Sequence, residues 1–259
     1  MILVAGGDSF IWGSELADSP NGGLNGYSLS TYPALLAKQA KLEYQCVAYP
    51  GNANNAISRM VIDYCEEHKD QNLFVFVTWT FAQRFEFRFN SPANKWTGKW
   101  YSVSSWHGSD EFEFQEPDLD ADTIRKFTNM FFKHVGDNEH YEVYSVIKEV
   151  LFLQNYLDLN NIPYLFTTAN NIVYESDCYT RSKDKSMINL YQQINWNRWF
   201  FFPAGTVPIK ETRSPRGFYQ WAVESKYKVG PDMHPLEDAH SDAAELIKEK
   251  FNELVKKSI

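Results

Sequence analysis

The chain has 259 residues and a formal net charge of −8, with 25 Lys and Arg against 33 Asp and Glu. That balance, with no face dense in Lys or Arg, argues against a nucleic-acid partner, which needs clustered cations. Apolar content of 44% fits a globular chain with a real core, and no apolar stretch is long enough to span a bilayer.

In chain order, residues 2–5 (ILVA) form a short apolar run closed by Gly6-Gly7-Asp8-Ser9, which reads as a buried strand and its turn. No basic-then-apolar leader precedes it, which gives the expectation of a cytoplasmic protein. Residues 31–41 read as a helix with Thr31 as N-cap and Pro33 in the first turn. Residues 43–49 read as a second strand. Residues 54–67 carry Ile57, Met60, Val61 and Tyr64 at helical spacing, and 73–79 (LFVFVTW) make the clearest strand. Strand, helix, strand, helix, strand is the pattern of a parallel sheet.

The pattern then breaks. Residues 84–118 alternate aromatic and polar side chains, and "RFEFRF" reads as a strand or hairpin arm. Helices are expected near 120–134 and 140–159, and a buried strand returns at 163–168. Residues 199–202 (WFFF) read either as a last strand or as an apolar helical turn. The terminal helix spans 235–257, with Ala243, Ala244, Ile247, Phe251 and Leu254 on one stripe. The expectation is one α/β domain over 1–259, interrupted by an aromatic-rich insertion at about 84–145.

Minor signals are weak. Cys46, Cys65 and Cys178 show neither metal spacing nor a disulfide framework, and Cys46 and Cys65 read as buried thiols. His68, His107, His134 and His140 show no paired ligand spacing, so no metal is expected. The acidic run at 110–122 lacks the glycine and terminal glutamate of a calcium loop and reads as a solvated loop.

In an open parallel sheet, ligands bind outside the carboxyl ends of the strands. Three polar turns follow predicted strands: Gly6 to Ser9, Tyr49 to Asn55, and Thr78-Trp79-Thr80. A fourth lies before the last helix, Val229-Gly230-Pro231-Asp232-Met233-His234-Pro235. Ser9 is a candidate nucleophile, and His234 with Asp232 the candidate base and acid. The N–H groups of Ser9 and Gly51, with Asn54 or Thr80, are candidate oxyanion donors. Asp8, Trp79 and Arg84 are candidates for contact with substrate, although Arg84 pairing with Glu86 is equally open.

These blocks resemble the SGNH (GDSL-type) hydrolase superfamily over residues 2–80 and about 163–255. "VAGGDSF" resembles its first block, "YPGNANN" its second and "PDMHPLEDAHSDAAELI" its fifth. The resemblance implies a flavodoxin-like three-layer α/β/α fold. It also implies Ser9 as nucleophile, the Gly51 N–H as oxyanion donor, His234 as base, and no metal or organic cofactor. Two departures stand out. The family's Gly-x-Asn-Asp block is replaced by "FVFVTWTFAQRFE", where Thr80 to Arg84 fits a Thr/Ser-x-x-x-Arg form. The acid usually lies three residues before the histidine, where this chain has Pro231; Asp232 lies two before, so a dyad is the other option. His240, three residues after Glu237, is a rival base, although such a pair on a helix is ordinarily a solvated face.

The leading expectation is a serine esterase, with O-acetyl groups on a carbohydrate as one substrate class. Trp96, Trp100 and Trp106 are available either to stack on sugars or to build the insertion's own core. The alternatives are a catalytically weak glycan-binding or scaffold protein, and a phosphate-binding flavodoxin-like protein. The last lacks a Walker lysine and a full Gly-x-Gly-x-x-Gly. The sequence leaves the oligomeric state open.

Overall fold

The computed structural model describes residues 1–19, 26–91, 94–109, 111–112, 119–171, 184–203 and 215–257, with backbone only at 94–97. Cys178, the Trp96 side chain and residues 113–118 of the acidic run lie outside the described residues. Chain order runs β1 (Ile2–Gly6), α1 (Ser9–Trp12), α2 (Tyr32–Ala40), β2 (Glu43–Cys46), α3 (Asn54–Glu67) and β3 (Leu73–Trp79). The insertion supplies β4 (Phe85–Ser91), β5 (Asn94–Val103) and α4 (Ala121–Phe131). Then follow α5 (Glu139–Leu159), β6 (Tyr164–Thr168), α6 (Lys185–Tyr191), α7 (Phe218–Glu224) and α8 (Glu237–Lys256).

The main sheet is parallel, in the order β2-β1-β3-β6. This is the flavodoxin-like arrangement, in which strand order reverses between β1 and β3 and leaves a crevice at their carboxyl ends. Burial explains the composition of the strands: every residue of β3 is buried, because helices cover both faces. One face packs Leu3, Phe74, Phe76 and Leu165 under α2, α7 and α8. The other packs Val4, Val75, Val77 and Phe166 under α3 and α5.

The WFFF segment continues the sheet only as a bridge between Trp199 and Phe166, with the Phe200 N–H donating to the Phe166 carbonyl at 2.8 Å. Trp199 and Phe202 fall in opposite layers, as extended backbone requires over an odd step. The stripe on α8 is buried as a unit. Cys46 and Cys65 are buried free thiols, and burial pushes both up to about 12.

The β4–β5 hairpin is antiparallel and has its own small core of Phe85, Val103, Leu119, Ile124 and Phe132. Asn55, in the first turn of α3, fastens it: the side chain accepts the Glu86 N–H and donates to the Glu86 carbonyl, each at 2.9 Å. Ser102 Oγ accepts the Ala53 N–H at 3.0 Å. Glu86 grips Arg59 of α3 with both oxygens, at 2.6 and 3.0 Å. The insertion is therefore fixed against the loop that leads into α3. Among the described residues no helix is long and apolar enough to cross a membrane.

Phe251 of α8 is fully buried, its ring edge-on to Phe74 at 5.0 Å. Phe251→Ala is expected to lower stability by about 3–5 kcal/mol. Urea unfolding followed by circular dichroism checks this, and a loss within error of zero would mean that α8 does not seal the sheet.

Candidate active site

The turn after β1 brings its own chemistry. Asp8 caps α1, its Oδ1 accepting the Phe10 N–H at 3.1 Å, and this sets Ser9 as the first residue of the helical turn. Gly7 lies so close to Ile11 that a Cβ there would collide with it. The other oxygen of Asp8, Oδ2, accepts Thr80 Oγ1 at 2.5 Å and Arg84 Nη1 at 2.9 Å. Asp8 has no exposed surface, so these bonds replace its lost water. Asp8 was expected to contact substrate; a carboxylate so enclosed works inside the fold instead.

Trp79 corrects a second expectation. It was expected to wall the pocket, but as a β3 residue its side chain alternates into the layer under α3 and α5, where it is 1% exposed and stands edge-on to Phe166. Arg84 remains partly exposed and lies over the Phe81 ring at 5.1 Å. Its carboxylate partner is Asp8, while Glu86 is taken by Arg59.

The side chains of Asn54 and Thr80, expected as oxyanion donors, are committed elsewhere. Asn54 Oδ1 accepts the Thr80 N–H at 2.9 Å, and Asn54 Nδ2 faces the carbonyls of Thr80 and Phe81 at 3.3 and 3.4 Å. The Thr80 hydroxyl donates to Asp8. Among the described residues no hydrogen bond occupies the N–H of Ser9 or Gly51. Gly51 has φ +80°, and a Cβ there would meet nothing, so glycine answers a conformational demand rather than a steric one.

His234 sits in a tight loop: the Gly230 N–H donates to the His234 carbonyl at 2.8 Å, and Val229 bridges to Pro235. Its ring stands edge-on to Phe10, the residue after Ser9, with centroids 5.5 Å apart. Among the described residues no hydrogen bond joins Ser9 Oγ to His234; such bonds often tighten only with substrate bound.

The partner of His234 is Glu15. His234 Nδ1 lies 2.7 Å from Glu15 Oε2. The same carboxylate accepts the N–H of Asp232 at 3.0 Å and of His234 at 3.2 Å. A Cβ on Gly230 would lie 2.5 Å from Glu15 Oε1, so glycine makes room for the carboxylate. The expected acid, Asp232, thus contributes its amide, while the residue itself is exposed. Burial alone would raise the Glu15 pKa; the hydrogen bonds from Asp232 and His234 outweigh it and hold the carboxyl below its ordinary value. Both Glu15 and Met233 adopt left-handed backbone, each at φ +67°. Such residues cost about 1–3 kcal/mol each and cluster at functional sites. No spacing rule pointed to Glu15; the only sequence signal was a carboxylate on the segment that carries Ser9.

His240, the rival base, is buried. Its Nδ1 accepts the Tyr32 N–H at 3.2 Å, and burial pushes its pKa down to about 3. Glu237 accepts the Ala17 N–H at 2.7 Å and binds the segment just after Glu15. Among the described residues no three His, Cys, Asp or Glu side chains form a metal-holding group.

The sequence matches no family model and no curated protein. Solved structures resemble it in chain trace. The esterase EstA from Pseudoalteromonas, inhibited by monoethylphosphonate, is 12% identical with a TM-score of 0.44, covering 99% of this chain and 97% of its own. A carbohydrate esterase with a carbohydrate-binding domain from Corynascus thermopiles is 12% identical with a TM-score of 0.47, covering 98% of this chain and 66% of its own. An acetyl xylan esterase from Butyrivibrio proteoclasticus gives the same identity and TM-score, with 98% and 64% covered. The chain therefore spans about two thirds of the length of the two carbohydrate enzymes.

Because the Glu15 pKa is depressed on folding, its contribution to stability is present above the unfolded-state value and is lost as pH falls through the folded-state value. Glu15→Gln is expected to be less stable than wild type at neutral pH, with the deficit shrinking through the carboxylate range. Thermal melts across that range check it, and a deficit that does not shrink as pH falls would contradict an ionised Glu15 carboxylate.

Proposed function

We propose that the chain is a serine ester hydrolase of the SGNH type that its motifs resemble, with Ser9 as nucleophile, His234 as general base and Glu15 as the orienting acid. The observation that carries this reading is the 2.7 Å pair of His234 Nδ1 and Glu15 beside the turn that bears Ser9. With Nδ1–H donated to Glu15, Nε2 is left to take the Ser9 proton as Oγ attacks the ester carbonyl. The tetrahedral oxyanion is received by the N–H groups of Ser9 and Gly51. His234 then passes its proton to the leaving alcohol, and water repeats the sequence to release the acid and restore Ser9. Asp8, Thr80 and Arg84 hold the turn in place, and the partly exposed Arg84 borders the substrate.

The substrate is a carboxylic ester, and O-acetyl groups on a carbohydrate are the class we favour. Trp100 and Trp106 support this, being 46% and 56% exposed on the insertion. Trp100 is backed by Arg59 at 5.2 Å and lies on the same face of β5 as Ser102, which bonds Ala53 beside the Gly51 loop. One observation favours a second reading, a catalytically weak binding or scaffold protein. With Asn54 and Thr80 committed inside, neither side chain stands in for the family's oxyanion asparagine, and one lost donor costs about 2.7–4 kcal/mol.

A fluorophosphonate probe is expected to label Ser9 in wild type, with Ser9→Ala unlabelled and inactive on p-nitrophenyl acetate. His234→Ala loses nearly all turnover. Glu15→Gln loses about 10³–10⁴-fold in kcat, while Asp232→Asn stays near wild type. Absence of labelling and turnover in folded wild type selects the binding reading. A dead Asp232→Asn beside an active Glu15→Gln reverses the assignment of the acid.

A further inference from the structure

The loop that carries His234 needs a fixed position relative to β1 and β3, and the His234 ring meets Glu15 and Phe10. A buried connection runs behind it. His240 is 1% exposed and belongs to the first turn of α8. Its Nδ1 accepts the Tyr32 N–H at the start of α2, at 3.2 Å. With Nδ1 accepting, a neutral imidazole carries its proton on Nε2 and has one acceptor and one donor to offer. Its plane stacks on Tyr32 with centroids 5.6 Å apart and tilts against Phe218 at 4.8 Å. Tyr32 in turn joins its hydroxyl to Thr78 Oγ1 near the end of β3. Phe218 stands edge-on to Phe10 at 6.1 Å, and Phe10 meets the His234 ring, so the path from the sheet is continuous: Thr78, Tyr32, His240, Phe218, Phe10, His234.

We propose that His240 is a positioning residue for ester hydrolysis, whose neutral ring fastens the start of α2 to the first turn of α8 and, through Phe218 and Phe10, sets His234 against the Ser9 turn. This rests on the reading of His234 as the base. A doubly protonated ring would aim an N–H at the Tyr32 N–H, so the connection requires the neutral form. Burial keeps the ring neutral against the opposing pull of Asp18.

The test is His240→Phe, which keeps a ring against Tyr32 and Phe218 but removes the acceptor for the Tyr32 N–H, beside His240→Asn and His240→Gln, which each restore an acceptor. The readouts are the downfield proton NMR resonance of His234 Nδ1–H, kcat and KM on p-nitrophenyl acetate, and thermal unfolding. In His240→Phe the resonance is expected to broaden or vanish and kcat to fall about ten- to a hundredfold at nearly constant KM, with partial recovery in one amide variant. A folded His240→Phe that keeps the resonance and kcat while only its Tm drops would overturn the proposal. If His240→Phe does not fold, nitrogen-15 shifts of wild type decide: a His240 that titrates near neutral pH, or carries its proton on Nδ1, overturns it. The resonance reads the His234 position whether or not the protein turns over esters, so failure here and failure of the esterase reading are separable.

Discussion

The structure depends on a carboxylate with no access to water. Asp8 stands at the point where the strand order reverses, between the ends of β1 and β3. A buried anion is costly unless it is paired and hydrogen-bonded, and Asp8 is both. One oxygen caps α1 and the other takes Thr80 and Arg84 from the segment after β3. The same group thus begins the turn that bears Ser9 and draws the two strand ends together. Arg84 is required in that place by charge, since its loss would leave the anion unpaired inside the fold.

A second constraint shapes the other side of the site. Glu15 is reached from two ends of the chain, lying just past α1 in sequence and inside the Gly230–His234 loop in space. The absence of a side chain on Gly230, the left-handed turns at Glu15 and Met233, and the two amides that meet the carboxylate are parts of one arrangement. Strain of this kind survives only where neighbours over-determine it, and here hydrogen bonds to an ionised group do so.

The insertion is built by a different rule. It has its own aromatic core but no independent place in the sheet, so its position comes from Asn55, Ser102 and the Arg59–Glu86 pair. All three fasten to α3 or to the loop before it. Whatever the hairpin presents to solvent, Trp100 included, is therefore held in fixed register with the Gly51 turn.

Much of the fold was legible in the sequence because burial writes itself there. LFVFVTW is apolar throughout because β3 is covered on both faces, and the α8 stripe repeats at helical spacing because only one face meets the sheet. The turns at Gly6–Ser9 and Gly51 were legible for the same local reason, glycine closing a strand, whereas the capping role of Asp8 was not. What only the tertiary structure decided are the long-range pairings. The sequence offered Asp232 to His234 by nearness, yet the partner is Glu15, 219 positions away. It offered Trp79, Asn54 and Thr80 to a pocket, yet one side chain packs into the core and two spend their hydrogen bonds inside. Spacing along a chain reports local backbone geometry; which carboxylate faces which imidazole depends on how two loops from opposite ends of the chain are carried to the same edge of one sheet.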